Sequence, residues 1–317
     1  MQAVILAAGR GKRLHPITFQ RSKAMLPVLG LPIISRIVDS IASNAVSDFI
    51  IVTSPDDERL TTYFQDNPLP EINIRFVEQV EPRGMAHALL CAKDWIVGDF
   101  LLTACDSLIP QTDYTSMITS WYSQPHTAAL LALMLVSPDK VHQTAVVQIE
   151  RERITRITEK PAPQQTVSNI ASLPIYIFQP GILDDLPHIK PSSRGEYELQ
   201  DAIQSLIDQG ETVRGVLIEE RLNLTSAQDL LEINLHFLQI EKPHYVDDSV
   251  TIEKDVVLHP PYWIGPHSTI GEQCSIGPNV FIESDCLIEH HCQVANTLLL
   301  KGSRLTPYQH LHLEIIY

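Results

Sequence analysis

Five basic side chains fall within fourteen residues near the start of a chain whose formal net charge is −15. They follow the apolar run AVILAA, and they are Arg10, Lys12, Arg13, Arg21 and Lys23. A strand followed by a glycine turn presents free backbone N–H groups, and nearby cations add positive charge. This combination predicts a site for an anion such as a triphosphate; a basic surface turn is the alternative.

The spacing of the glycines excludes the two common phosphate-binding loops. A dinucleotide fingerprint needs a third glycine at position 14, which is Leu14, and no Gly-Lys-Ser/Thr run follows as in a P-loop. The acidic overall charge argues against nucleic acid or an anionic membrane as the main partner. The local positive charge therefore indicates a small phosphorylated ligand.

Two regions with different hydrophobic periods must position these residues. Residues 1–235 alternate Val/Ile/Leu-rich runs with amphipathic stretches, which predicts an α/β domain with an open, mixed, mainly parallel sheet. Ligands of such sheets lie at the carboxyl ends of the strands. From Val246 to Leu300 an aliphatic residue recurs every six positions, which is typical of a left-handed parallel β-helix of about three coils. Residues 236–245 are the predicted linker, and 246–317 the β-helix and tail.

The cysteine spacing and the lengths of the apolar runs indicate the cellular compartment of the protein. None of the five cysteines forms a CxxC pair, no apolar run approaches the length of a membrane span, and no basic region precedes the first strand. We therefore expect reduced thiols in a cytoplasmic protein. Cys274, Cys286 and Cys292 take equivalent places in their hexads and are expected to fill the β-helix core.

The segments LAAGRGKRLHPIT and RSKAMLPV resemble the signature of the sugar-phosphate nucleotidylyltransferases, L-x-G-G-x-G-T-R-L-x-P-L-T followed by K-P-x-L-P-V. These enzymes join a nucleoside triphosphate and a sugar 1-phosphate into a nucleotide-sugar and pyrophosphate. The resemblance implies a Rossmann-like nucleotidyltransferase fold with Mg²⁺ as cofactor. The attacking phosphate oxygen is already anionic, so positioning and electrostatic stabilisation carry the catalysis.

The resemblance also assigns phosphate-binding roles. Arg13 is expected to stabilise the leaving pyrophosphate, and Lys23 to bind the α-phosphate. Lys12 stands where the family has threonine and adds charge near the departing pyrophosphate. The backbone of four residues is expected to line the nucleotide site: Leu6, Ala8, Gly9 and Gly11.

The resemblance also assigns residues for metal binding and for base recognition. Asp106, after the strand DFLLTAC, and Asn223, where many relatives have aspartate, are the expected Mg²⁺ ligands. In EQVEPRGMAHAL, Gln79 and Gly84 match the residues that read a pyrimidine edge, which favours UTP or dTTP. For Gln79, a solvated strand end is the alternative.

The expected sugar-phosphate site includes Glu159 and Lys160 in ITEKP and Arg194 in SSRGEYELQDA. The alternatives are a surface ion pair for Glu159 and Lys160 and a solvated side chain for Arg194. Ala145 replaces a glycine beside the sugar, and residues 172–174 replace the family's N-A-G. Glucose 1-phosphate is the favoured acceptor.

The predicted function is a nucleotidylyltransferase making a UDP- or dTDP-sugar. The alternative is a low-activity relative that binds sugar nucleotides in a regulatory or assembly role, as the departures from the family pattern would permit. Acyl transfer by the β-helix is disfavoured because the coils are few. Retention of several costly charges together favours activity. The β-helix is expected to mediate self-association into a homo-oligomer.

Overall fold

The computed structural model describes residues 1–162, 168–241 and 243–317. Two compact units emerge from the contacts along the chain. The α/β unit comprises Met1–Arg10, Ser22–Ala24 and Ile34–Arg221, and the β-helix unit comprises Gly11–Arg21, Met25–Ile33 and Leu222–Tyr317. The domain boundaries proposed from the sequence stay a prediction, and Lys242 of the predicted linker lies outside the described residues.

The strands before residue 224 are β1 (Gln2–Leu6), β2 (Pro27–Val28), β3 (Leu31–Pro32), β4 (Asp48–Thr53), β5 (Asn73–Glu78), β6 (Phe100–Ala104), β7 (Ser107–Leu108), β8 (Ala129–Leu135), β9 (Ala145–Glu150), β10 (Arg153–Glu159), β11 (Ile170–Phe178), β12 (Val213–Leu217) and β13 (Leu222–Asn223). The α-helices are α1 (Ile33–Ala42), α2 (Glu58–Asp66), α3 (Met85–Ala92), α4 (Gln111–Ser123), α5 (Ile182–Asp185), α6 (Leu199–Asp208) and α7 (Ala227–Ile240). In the described chain, none of these helices combines the length and the apolar character needed to cross a membrane.

Within the described residues, nine strands of the α/β unit form one sheet whose main path is β10-β9-β11-β6-β1-β4-β5, with β8 joining β11 to β12. β1 is parallel to β4 and β6, while β11 runs antiparallel to β6, β8 and β9. The central strands are buried on both faces, as the continuous aliphatic runs predicted. The predicted mixed, mainly parallel fold is therefore confirmed.

The strands after residue 243 are β14 (His244–Val246), β15 (Thr251–Ile252), β16 (Val257–Leu258), β17 (Tyr262–Ile264), β18 (Thr269–Ile270), β19 (Ser275–Ile276), β20 (Val280–Ile282), β21 (Leu287–Ile288), β22 (Gln293–Ala295), β23 (Thr297–Leu299), β24 (Arg304–Leu305), β25 (His310–His312) and β26 (Ile315–Ile316). They form three parallel sheets of five, four and four strands among the described residues. This left-handed β-helix has four coils and one further strand, so the predicted three coils are one too few.

The hexad pattern holds from Ile264 to Val294 and then shortens. The aliphatic residues that recur every six positions in this stretch are at most 1% exposed, and they fill the core together with the three cysteines. Leu299, rather than the predicted Leu300, pairs with Ile282 of the preceding coil. The register changes because the corner around Asn296 contains one residue fewer than the equivalent corner of the preceding coil, around Pro278.

Candidate active site

The chain leaves β1 at the centre of the sheet, fixed on both sides. The Ala7 N–H donates to the Val52 carbonyl at 2.7 Å, and the Cys105 N–H donates to the Leu6 carbonyl at 3.1 Å. The segment that follows is thus held between the ends of β4 and β6. In an open α/β sheet this carboxyl edge is the usual location of a ligand.

The turn after β1 has open space beside it. Leu6 and Ala8, two of the predicted nucleotide-binding residues, are 8% and 6% exposed, whereas Gly9 is exposed. No described atom lies within 4 Å of the position that a Gly9 Cβ would occupy. The backbone here is therefore accessible to a ligand, although the assignment of these residues to a nucleotide stays a prediction.

Lys23 and Asp106 form an ion pair in the α/β unit. Asp106 follows the carboxyl end of β6 by two residues, and the two side chains are only 14% and 23% exposed. Cys105 is buried beside this carboxylate, and burial together with the charge of Asp106 raises the pKa of its thiol to about 12. The thiol is neutral at physiological pH, so the local chemistry is that of a lysine and a carboxylate.

Arg221 is a further cation of this region that the sequence reasoning did not single out. Its Nε donates to the Ser107 hydroxyl at 2.7 Å, one residue beyond Asp106. Burial lowers the pKa of Arg221, while the negative charge of Asp106 works in the opposite direction. The available signal was its place at the start of RLNLTSAQDLLEIN, which resembles the family segment W-x-D-x-G-T-P-x-D-L-L-E-x-N and has Arg221 in place of the tryptophan.

The predicted base-recognition residues are in contact with each other. Gln79 is 5% exposed, so it is not a solvated strand end. Its amide Nε2 donates to the Gly84 carbonyl at 3.2 Å and lies 2.9 Å from His87 Nδ1. Burial, followed by the charge of Arg83, lowers the pKa of His87, which favours the neutral imidazole that can accept this hydrogen bond. His87 was missed because a lone histidine in a helical stretch carries no distinctive pattern.

Gly84 occupies a backbone conformation restricted to glycine. Its φ is 104° and its ψ is 175°, and it immediately precedes α3. A Cβ at this position would lie 2.6 Å from the Tyr197 carbonyl oxygen and 2.8 Å from the Tyr197 nitrogen. The glycine therefore permits close packing of two backbone segments beside Gln79.

The predicted sugar-phosphate residues lie on adjacent strands and line a cavity. Ala145 on β9 is the register partner of both Glu159 on β10 and Ser172 on β11. Glu159, Lys160 and Arg194 line a cavity of about 680 Å³ in the α/β unit. The structure thus brings the predicted sugar-site residues together.

Arg194 is held by two carboxylates. Its Nη2 donates to Glu159 at 3.2 Å and to Glu198 at 2.7 Å, while Lys160 Nζ lies 3.6 Å from the same Glu159 oxygen. Burial raises the pKa of Glu159, and Lys160 opposes that shift. Glu198, which also accepts a hydrogen bond from Ser192, was not identified from the sequence. These charges are available to reorganise around a phosphate and sugar hydroxyls.

The remaining predicted nucleotide residues belong to the β-helix unit. The Gly11 carbonyl accepts hydrogen bonds from the Leu14 N–H at 2.8 Å and from the Thr18 hydroxyl at 2.9 Å. Lys12 and Arg13 begin a short 3₁₀ helix that ends at the buried Leu14, and both cations are exposed. They are accessible to an anion.

One member of the basic cluster is already neutralised. Arg21 makes two parallel hydrogen bonds to the Glu283 carboxylate, at 2.7 and 2.8 Å. The sequence reasoning counted Arg21 in the basic cluster without giving it a binding role, and the structure shows that its guanidinium is paired with this carboxylate. The pairing could not be predicted because Glu283 lies 262 residues further along the chain.

The donors present suit a magnesium ion that arrives with phosphates. In the part of the chain that the structure describes, no three His, Cys, Asp or Glu side chains form a group that could hold a metal ion by themselves. Mg²⁺ typically takes one or two carboxylates, with waters and substrate phosphates as its other ligands. Asp106 fits that requirement, whereas Asn223 lies on β13 in the β-helix unit and its predicted metal role stays a prediction.

Comparisons with known proteins show which families the chain resembles. The family described as Nucleotidyl transferase matches residues 2–240, and the GMPPB C-terminal domain matches residues 258–316. The bifunctional protein GlmU of Methanococcus maripaludis is 33% identical over 82% of this chain, and the match covers 62% of that protein. The UTP–glucose-1-phosphate uridylyltransferase AglF of Haloferax volcanii is 30% identical over 72% of this chain and 93% of its own length.

A solved structure shares the fold. The crystal structure of UDP-glucose pyrophosphorylase complexed with UDP-glucose superimposes with a TM-score of 0.67 at 24% identity, covering 75% of this chain and 98% of that one. The chain spans 62% of the length of the GlmU relative, so that protein's activities do not transfer as a whole. The family match over three quarters of the sequence and the relation to AglF nevertheless agree: the chain belongs to the nucleotidyl transferase family.

Proposed function

We propose that this protein joins a nucleoside triphosphate to a sugar 1-phosphate, releasing pyrophosphate and a nucleotide-sugar. The observation that carries the proposal is the Lys23–Asp106 pair at the carboxyl edge of the sheet, beside the open turn after β1. Membership of the nucleotidyl transferase family supports the reaction type. AglF, which is described as using UTP and glucose 1-phosphate, supports those two substrates.

The chemistry requires charge stabilisation rather than a general base. An oxygen of the sugar phosphate attacks the α-phosphorus, the bond from that phosphorus to the bridging oxygen of the β-phosphate breaks, and pyrophosphate leaves with the electron pair. In the proposal Lys23 holds the α-phosphate, and Arg13 stabilises the pyrophosphate. Such fixed charges act most strongly where water is largely excluded, and Lys23 is only 14% exposed.

Asp106 and Asn223 are the proposed protein ligands of Mg²⁺. The bound ion would neutralise phosphate charge and orient the triphosphate. Asp106 and Lys23 form an ion pair in the described chain. In the substrate complex Asp106 would hold the ion, and Lys23 would bind the α-phosphate.

Gln79 and Gly84 are proposed to recognise a pyrimidine base. Their mutual hydrogen bond and the contact with His87 hold the Gln79 amide in one orientation, which is what selection by a hydrogen-bonded edge requires. The bases of UTP and dTTP differ by one methyl group, worth about 1–3 kcal/mol in a fitted pocket, and only UTP carries a 2′-hydroxyl on its ribose. We propose UTP or dTTP as the donor on this basis.

Glu159, Lys160 and Arg194 are proposed to bind the sugar 1-phosphate in the 680 Å³ cavity. Glu159 would accept hydrogen bonds from sugar hydroxyls, and the two cations would bind the phosphate. Ala145 lies on β9 opposite Glu159, and the segment 172–174 lies on β11, which pairs with β9 at Ala145. We therefore propose that their departures from the family pattern affect the sugar rather than the nucleotide. Self-association through the β-helix stays a prediction.

A pyrophosphate-release assay with Mg²⁺ tests the proposal. UTP, dTTP, CTP, ATP and GTP are each combined with glucose 1-phosphate and other sugar 1-phosphates. We expect turnover with a pyrimidine triphosphate and one preferred sugar. Absence of turnover across the whole matrix, with binding of a sugar nucleotide retained in calorimetry, would instead establish the regulatory or assembly role.

A further inference from the structure

The β-helix unit contains residues from the start of the chain as well as from its end. We call residues Gly11–Arg21 the signature loop, because they carry most of the family's first motif. This loop belongs with Leu222–Tyr317 rather than with the sheet to which its preceding strand belongs. Contacts with residues 222–317 therefore hold the loop.

The strongest connection is the pair formed by Arg21 and Glu283. Two hydrogen bonds of 2.7 and 2.8 Å join the guanidinium to both carboxylate oxygens. The two side chains are 16% and 15% exposed, so solvent screens the pair poorly. A bidentate arginine–carboxylate contact fixes orientation as well as distance, and it holds the carboxyl end of the signature loop in one place.

Glu283 is itself fixed by the coil on which it lies. It directly follows β20, and its N–H donates to the Leu299 carbonyl at 2.8 Å. Its Oε2 accepts a second hydrogen bond from the Lys301 N–H at 2.8 Å, and the Ser268 hydroxyl donates to its carbonyl at 3.0 Å. The carboxylate is thus anchored by neighbouring coils before Arg21 binds it.

A second anchor fixes the residues just beyond the signature loop. The Asn234 side chain on α7 accepts from the Leu29 N–H at 3.0 Å and donates to the Pro27 carbonyl at 2.9 Å. Trp263 packs so closely on Gly30 that a Cβ there would lie 2.7 Å from the ring. Both motif segments of the family signature, the loop and the β2–β3 hairpin, are therefore supported by the same unit.

We propose that Arg21 and Glu283 are positioning residues through which the β-helix fixes the signature loop for binding the triphosphate. The assignment of the loop to a triphosphate rests on the proposed function. Arg21 does not contact the phosphates in this role. It acts on the exposed Lys12 and Arg13 by restricting the loop that carries them. The β-helix is then a working part of nucleotide binding in addition to any role in self-association.

Hydrogen exchange tests the structural half of the proposal without relying on turnover. In Glu283→Gln the amides of the loop, including those of Leu14 and Phe19, should exchange about tenfold faster, since a charged hydrogen bond is lost. Glu289→Gln is the matched control, because Glu289 follows Ile288 as Glu283 follows Ile282 but is exposed. Unchanged exchange of residues 11–21 in Glu283→Gln would overturn the proposal, whatever the activity assay shows.

Steady-state kinetics test the functional half. We expect Glu283→Gln to raise KM for UTP or dTTP about tenfold and to leave KM for the sugar 1-phosphate within about twofold, because the sugar site lies on β9 and β10. Equal changes in both constants would indicate general damage and overturn the positioning role. Faster loop exchange with an unchanged nucleotide KM would overturn it as well.

Arg21→Lys keeps the experiment decisive if Glu283→Gln loosens the coils. This variant retains the charge and one hydrogen bond but loses the bidentate geometry, and it leaves Glu283 and its coil contacts in place. Exchange of peptides from β17 to β22 reports whether the coils are intact. An intermediate rise in loop exchange with stable coils is expected, and no rise at all would contradict the proposal. If the wild-type protein turns over no substrate pair, the proposed function fails, while the exchange data still decide whether the coils hold the loop.

Discussion

Replacing Gly84 with alanine should both destabilise the α/β unit and impair nucleotide recognition. The new Cβ would lie 2.6 Å from the Tyr197 carbonyl oxygen and 2.8 Å from its nitrogen. Neither atom can move freely, because the Tyr197 N–H donates to the Arg83 carbonyl at 2.7 Å and the Tyr197 carbonyl accepts from the Ala86 N–H at 3.1 Å. Relief of the overlap must therefore displace the backbone on both sides.

Two contributions set the size of the effect. A non-glycine residue at φ 104° and ψ 175° costs about 1–3 kcal/mol in backbone strain. Overpacking against fixed backbone costs about 1–3 kcal/mol more. The sum is about 4 kcal/mol, which corresponds to a fall in Tm of about 8–16 °C for a unit of this size.

Thermal unfolding and nucleotide kinetics together provide the assay. Gly98→Ala is the control, since Gly98 has a φ of 81° but no described atom within 4 Å of its would-be Cβ. It should cost only about 1–2 kcal/mol. Because Gln79 donates to the Gly84 carbonyl, only Gly84→Ala should raise KM for UTP or dTTP. Equal losses of Tm in the two variants, with an unchanged nucleotide KM, would refute the reasoning.

Three further outcomes are expected. Lys23→Ala should lower kcat by about 10²-fold or more, whereas Lys93→Ala, which breaks the exposed pair with Asp184, should leave kcat unchanged; equal effects would remove Lys23 from the mechanism. Burial raises the pKa of Glu159. As the pH falls, this carboxyl should therefore take up a proton at a higher pH than an ordinary glutamate does. Glu159→Gln should flatten the acid side of the pH profile of KM for the sugar 1-phosphate. Asn234→Leu should cost about 3 kcal/mol in urea unfolding, because it strands two buried backbone groups of the β2–β3 hairpin; a loss below about 1 kcal/mol would show that water replaces the amide.

The fold could be predicted because its signals are local and repeated. Between Ile264 and Val294 an aliphatic residue recurs every six positions, and this repeat predicts which side chains fill the β-helix core. The number of coils was underestimated because the shortened corner at Asn296 moves the pattern by one residue, after which Leu299, Leu305 and Leu311 continue it out of phase. A search for a strict period stops where one corner changes length.

The site was less accessible to prediction because charge pairing is a property of distant residues. In the sequence Arg21 resembles the other cations around it, yet its partner is Glu283. The same holds for Arg194, whose shortest hydrogen bond goes to Glu198, a residue that the sequence reasoning did not identify. Motif spacing identifies which residue types are gathered, but the three-dimensional packing decides which charges are left for a ligand.

The passage of the chain between the two units has a consequence for biosynthesis. Residues 11–21 leave the ribosome before Glu283, which completes their support and is translated 262 residues after Arg21. At about 5–20 residues per second this delay amounts to about 13–52 s. During that interval the basic segment has been made, but the carboxylate that pairs with Arg21 has not. If translation stops before the coils are made, this cationic segment stays without its partner and is exposed to polyanions and quality-control proteins in the cell.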